Sequence, residues 1–285
     1  MIASLRAELM RLGRWPTTWV LGGTWLLLNL TFGYVFNYLS YRSADGTTVG
    51  PPTGATKQIL LQEMMPANAP VTLVQGLPMF GGALVLILGA VAVGSGYGWG
   101  TWKTVFTTGP RRITAMGGTL GALGVILVGL VAATFVLDLA ASYTVAAVES
   151  QSVTWPGFVD SVQGLGAALL ICGMWLAAGV LLGTLTRGPA LAVGLGLVWS
   201  LVVENLLRGV ANMLGPLEAV TDVLPGTAAG SLAGALGALT QGDPNGTPGV
   251  TTTITGTAAV ALLGAYLIAF LVASLTLTAR RDVTS

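Results

Sequence analysis

Polar positions in this chain fall in narrow clusters. Between them run windows without a charged residue, of which six read as membrane crossings: Trp15 to Tyr41, Met64 to Trp102, Ile113 to Leu137, Ser161 to Thr186, Gly188 to Val203 and Pro244 to Ala279. A helix needs ~20 apolar residues to cross the hydrocarbon core of a bilayer, and each window reaches or nearly reaches that length. The pattern predicts an all-α integral membrane protein with six transmembrane helices, near 17–39, 76–95, 114–137, 162–185, 189–207 and 256–278, in one domain over residues 1–285. The fifth is the shortest window, and Glu204 at its outer end extends it to Leu207. Ahead of the first span, Ile2, Leu5, Leu9 and Leu12 recur at helical spacing while Arg6, Glu8 and Arg11 fall elsewhere. That stripe predicts an amphipathic interfacial helix over residues 1–15, with Arg14, Trp15 and Pro16 marking its turn into the membrane. The apolar run that follows is too long for a secretory signal and lacks a small-residue cleavage site, so it reads as an uncleaved anchor.

Composition strengthens the membrane reading. Hydrophobic residues make up 53% of the chain and charged residues 8%, against roughly 25% charged in an ordinary soluble domain. Twelve Lys+Arg and eleven Asp+Glu are too few to cover 285 residues in water, so the remaining surface is expected to face lipid. The net charge of +1 offers no concentrated basic face for nucleic acid. Without histidine, and with Cys172 as the single cysteine, neither a disulfide nor a histidine-based metal or haem site can be built.

Basic residues flanking short loops are retained in the cytoplasm. Arg6, Arg11, Arg14, Lys103, Arg111, Arg112, Arg187, Arg280 and Arg281 fall on one side of the six spans, and Arg42, Lys57 and Arg208 on the other. Nine against three predicts both termini in the cytoplasm of a multi-pass cell-membrane protein. The segments near 40–75, 138–161 and 208–255 are then external. The last contains Gly215-Pro216, Pro225-Gly226, Pro244 and Pro248, which rule out one continuous helix and predict short broken ones. Around Lys57 to Met65, Ile59, Leu60 and Met64 near helical spacing predict a surface helix in the first external segment.

The cytoplasmic loop over 96–112 is the most distinctive stretch. Its centre, Thr101 to Thr108, is predicted to form two helical turns before Gly109 and Pro110 stop them. Trp99, Trp102 and Phe106 offer apolar anchors and Lys103, Arg111 and Arg112 cationic contacts, a combination found at protein interfaces. By composition alone the loop reads equally as an aromatic belt with positive-inside anchoring.

From Ala92 to Arg112 the chain reads A-V-G-S-G-Y-G-W-G-T-W-K-T-V-F-T-T-G-P-R-R, which resembles the segment after the second span of ABC-2 type transporter permeases. The likeness extends to the N-terminal amphipathic helix, the six-span layout, Leu224 to Gly226, and the ending at Arg280 to Asp282. It implies that Thr101 to Thr108 is a coupling helix, with Trp99, Thr101, Trp102, Lys103, Phe106, Arg111 and Arg112 in the loop that docks on a separate ATPase subunit. It also implies a second permease subunit, homo- or heterodimeric, and a segment over 208–255 that dips back into the outer membrane as a gate through short re-entrant helices. Gly96 stands where the family commonly carries an acidic residue. The chain has no G-x-x-x-x-G-K-[ST] phosphate loop, so ATP and Mg are expected on the partner and no cofactor on this chain. The likeness implies an exporter, while the apolar, sparsely charged pathway favours hydrophobic or amphipathic cargo and the missing phosphate loop leads to the expectation that the chain is not an enzyme by itself.

Few polar groups are expected within the bilayer, where each is costly. Asp138 follows the third predicted span, Glu204 lies in the last turn of the fifth with Arg208 one turn on, and Asn29 lies within the first. For Glu204 the expectations are pairing with Arg208 or a gating role, for Asp138 an interfacial position or a place in the pathway, and for Asn29 a bond to a neighbouring helix or to substrate. Gly117, Gly121 and Gly124 put small residues along one face of the third span for close packing, and Gly194 and Gly196 do so in the fifth. The alternative to a permease is a non-transporting scaffold or sensor that recruits a cytoplasmic partner through residues 96–112. An ion-driven carrier and a membrane enzyme come behind it, lacking mid-membrane acids and a catalytic constellation.

Overall fold

The structure, a computed structural model, describes residues 2–43, 54–109, 111–211, 218–243 and 246–280. Among them every regular element is helical and six helices are long and apolar enough to cross a membrane, the architecture of a multi-pass transmembrane protein. Arg281 and Asp282, Gly215-Pro216, Pro110 and Pro244 lie outside the described residues.

The chain opens with α1 (Ile2–Gly13), and Pro16 at the first turn of α2 (Pro16–Ser43) starts a new helix where its missing N–H costs nothing. Then come α3 (Gly54–Glu63), α4 (Ala69–Gln75), α5 (Leu77–Gly98), α6 (Thr101–Thr108) and α7 (Arg112–Val148). Next is α8 (Phe158–Thr186), which reaches α9 (Pro189–Val210) through Arg187 in the left-handed region and Pro189 at the start of the new helix. Two short helices, α10 (Glu218–Asp222) and α11 (Pro225–Ala235), precede α12 (Gly256–Arg280). Three spans contain π-helical segments, Thr31–Val35 in α2, Leu77–Gly81 in α5 and Val198–Val203 in α9. Such segments insert an extra residue in a turn and interrupt the regular ladder.

The core is a parallel pair, α5 and α8. A Cβ on Gly89 would meet the backbone of Leu176 and Val180, and one on Gly179 or Gly183 would meet the backbone of Leu86 or Ala90. Small residues let two helices approach to backbone contact, which in lipid supplies the dispersion that a hydrophobic drive cannot. Buried Val85, Leu86, Ile171, Met174 and Trp175 fill the space around this seam. Within their most apolar windows α5 is 72% buried and α8 56%, whereas α2 and α12 are each 17% buried. The outer helices therefore keep the broad apolar surface that a bilayer would cover.

Several sequence expectations are corrected here. The third helix does not end near residue 137: α7 continues to Val148, for a length of about 55 Å at 1.5 Å per residue. Residues 138–148 extend it because Thr134, Asp138, Ser142 and Ala146 continue a buried stripe at helical spacing. On its other end, Gly117 and Gly124 meet nothing within 4 Å, and the close approach is made by Gly118, whose Cβ would strike Ser4 of α1. Gly121 does face α1, through Leu5. In α9, Gly196 packs on Leu86 while Gly194 meets nothing. Composition showed the glycines but not which faces of the helices would find partners.

Candidate functional site

The residues predicted for docking gather at one end of the bundle. Gly100, in the left-handed region at φ 68°, turns the chain from α5 into α6. Trp102 folds back under this turn, 4% exposed, and its Nε1 donates to the Val93 carbonyl oxygen at 3.1 Å. Its indole occupies the space beside Gly96, where a Cβ would come within 2.5 Å of Nε1. The reading of Trp102 as a surface anchor is therefore corrected: it fastens α6 to α5, and Gly96 makes the room. Trp99, 70% exposed, packs edge-on against Trp15 at 6.1 Å between ring centres. Arg11 of α1 pairs with Glu8 at 2.7 Å and donates to the Ala92 carbonyl oxygen at 3.2 Å, tying α1 to the same end of α5. Thr101, Lys103 and Arg111 are exposed and Arg112 is half-buried at the start of α7. Phe106 lies in α6, with its side chain outside the described ones.

Asn29 and Asp138 meet across α2 and α7, the Asn29 Nδ2 donating to Asp138 Oδ1 at 2.6 Å. Asp138 is wholly buried, because α7 carries past it and α2 covers it. Tyr34 donates to the Asp138 carbonyl oxygen at 3.1 Å and Trp25 to Thr134 Oγ1 at 2.8 Å, so one buried face of α2 is joined to α7 by polar bonds. Asp138 Oδ2 has no hydrogen-bond partner among the described residues.

Glu204 is also wholly buried. The expected ion pair with Arg208 is not formed: Arg208 donates instead to the Glu204 backbone carbonyl at 3.4 Å and to Asn205 Oδ1 at 3.0 Å. The Glu204 carboxylate turns toward α11, where Oε1 accepts from Trp199 at 2.9 Å and Oε2 lies against Gly226. A carboxylate beside the first turn of α11 faces the positive end of that helix.

Nearest to Asn29 is a cavity of about 540 Å³ between α2, α4, α5 and the stretch after α11. Its size suits a small amphipathic molecule. Trp25, Phe32, Phe36 and Phe80 form its apolar wall, and Asn29, Asn37, Asn68, Thr72 and Gln75 bring polar groups, with Glu63 among the lining residues. Two of the π-helical segments, Thr31–Val35 and Leu77–Gly81, border it from opposite sides. Of these lining residues only Asn29 was singled out from the sequence. The signal that would have found others is the recurrence of amides, Asn37, Asn68 and Gln75, in or beside windows that are otherwise apolar.

No family model matches the chain, and no curated protein matches it.

Proposed function

We propose that this chain is the membrane-spanning permease subunit of an ATP-driven exporter of the ABC-2 type, working with a separate ATPase subunit and a second permease subunit. The observation that carries the reading is the docking end of the bundle. A short helix, α6, is fastened to α5 by buried Trp102 while Trp99, Thr101 and Lys103 on and beside it remain exposed. A stiff helix with exposed aromatic and cationic groups transmits a push from a partner into the span that carries it. α1, bound to the same end through Arg11, adds an interfacial support. The basic residues on this side support a cytoplasmic position for both termini of a cell-membrane protein. α10 and α11 on the opposite side form the re-entrant gate, with Glu204 against the first turn of α11.

In this reading ATP binding closes the partner pair, α6 and α1 carry that motion to α5, and the spans reopen outward around a hydrophobic or amphipathic cargo. This chain's share of the mechanism is to dock, transmit and enclose; ATP hydrolysis belongs to the partner. Gly96 departs from the acidic residue common in that family, and the room this glycine gives Trp102 accounts for it within a permease.

The reading is tested by exchanging Lys103 for Glu and Trp99 for Ala together and following ATP hydrolysis by the complex with and without this chain. The double variant is expected to insert and fold normally while losing most stimulated hydrolysis. Unchanged stimulation would remove α6 as the docking element.

A further inference from the structure

The cavity beside Asn29 has a chemical bias that its size alone does not convey. Three of its asparagines have their amide N–H groups committed to protein acceptors: Asn29 Nδ2 to Asp138 Oδ1 at 2.6 Å, Asn37 Nδ2 to the Gly33 carbonyl at 3.0 Å, and Asn68 Nδ2 to the Gln62 carbonyl at 2.7 Å. A backbone carbonyl only accepts, so the bonds of Asn37 and Asn68 fix their amide orientation. The opposite atom of both side chains is an acceptor oxygen. Thr72 likewise donates its hydroxyl hydrogen to the Asn68 carbonyl at 3.3 Å. Glu63 carries the one formal charge among the lining residues, and none of them is Lys or Arg. Burial pushes the Glu63 carboxyl above its ordinary range, a cost that a nearby cation offsets.

The apolar wall is also organised. Phe32 and Phe80 stack with ring centres 6.4 Å apart and planes 7° from parallel, and Phe36 meets Phe32 edge-on at 5.2 Å. All three rings are roughly half exposed and line the cavity, and their faces attract a cation.

We infer that this cavity binds an amphipathic amine in its protonated form, the ammonium hydrogens meeting Glu63 and the oxygen of Asn37 and the alkyl or aromatic part lying against the phenylalanines. Gln75 Nε2 is a donor among the lining side chains, but with no Lys or Arg there an anionic amphiphile finds no opposite charge and binds more weakly. This names a ligand class for the proposed permease and rests on that reading for its role in transport. Binding to the chain alone, however, needs neither partner nor ATP.

The experiment uses the full chain in phosphatidylcholine nanodiscs, with a decylamine carrying a diazirine on its alkyl tail as the photoreactive probe and crosslinked residues mapped by mass spectrometry. Crosslinks are expected within Phe32–Asn37 and Gln75–Leu84. Decylammonium is expected to compete at about tenfold lower concentration than decanol or decanoate, the ratio that one charge-assisted hydrogen bond supplies. Glu63→Gln and Asn37→Leu should each erase most of that ratio while leaving decanol competition in place; if one variant fails to fold, the other decides. Equal competition by decanol or decanoate, crosslinks confined to other helices, or an unchanged ratio in a folded variant overturns the proposal. Because no ATPase is present, such a failure would remove the ligand class and leave the docking role of α6 untouched.

Discussion

Along its length α5 meets α8 on one side and α2 on the other, and the two contacts are filled differently. Toward α8 the facing residues are glycines set against backbone, with Gly89 on one helix and Gly179 and Gly183 on the other. Toward α2 the facing residues are Phe32, Phe80 and Trp25, π-helical turns displace the local register, and a cavity of about 540 Å³ remains. One contact is closed down to the backbone and the other is left open. Dispersion between close backbones fixes one face, and large rings with amides beside them keep the other apart.

The largest effect is expected from closing the tight face to itself. Gly179→Val places two methyl groups against the Leu86 carbonyl, which is backbone and cannot swing away. A loss of at least about 3 kcal/mol is expected, at or above the upper end of ordinary overpacking, seen as loss of monodisperse protein on size exclusion. Gly117→Ala, at a helical glycine with nothing within 4 Å, is the contrasting case. It should stabilise slightly, by about 0.5 kcal/mol, since alanine restricts the unfolded chain; equal damage from both would end the distinction between packed and open glycines.

Next in size is the polar joint behind the open face. Asp138→Leu removes the acceptor for Asn29 and leaves that half-buried amide against an apolar neighbour. About 2 kcal/mol is expected, the cost of one orphaned hydrogen bond, measured by thermal unfolding in detergent. A neutral result would show that α2 and α7 are held by apolar contact alone. Gly96→Ala should cost about 1–2 kcal/mol by forcing Trp102 from its place. A change in tryptophan fluorescence and in partner-stimulated ATP hydrolysis would register it, with the cavity unaltered.

The smallest effect lies at the exposed end of the open face. Glu149, just beyond α7, accepts from Tyr38 at 2.8 Å and Tyr41 at 2.9 Å, and these hydroxyls, with Arg42 and Lys57 nearby, hold its carboxyl below the usual carboxylate range. A depressed folded value means the contribution is present above the unfolded pKa and is lost as pH falls through the folded one. Acid below the ordinary carboxylate range should therefore loosen the end of α2 from α7, read as faster amide exchange at Tyr38 to Arg42. Tyr38→Phe should reduce that pH response; an identical response in the variant would assign it to other groups.

Much of the helical framework was legible from uncharged windows, because lipid-facing helices tolerate almost no charge. The helix over Thr101–Thr108 was legible too, from Gly109 and Pro110 after it. What escaped was orientation about each helix axis. An all-apolar helix has no polar face to show which side is inside, so Gly118 was indistinguishable from Gly117, and Trp102 buried as readily as Trp99 stayed exposed. The meeting of Asn29 with Asp138 is a contact between residues 109 positions apart, which spacing along the chain does not encode. The cavity escaped for the same reason, since α2, α4, α5 and the stretch after α11 each contribute only a few of its residues.

The central claim is that this chain is a permease driven from its α6 end by a separate ATPase. The direct measurement is to purify the tagged chain from its native membrane in mild detergent and identify the co-purifying proteins and their ratio by mass spectrometry, beside the Lys103→Glu, Trp99→Ala double variant. The account predicts a phosphate-loop ATPase at equal stoichiometry with the wild type and its loss from the folded variant. Reproducible absence of any such ATPase, with a different stable partner in its place, would contradict the claim.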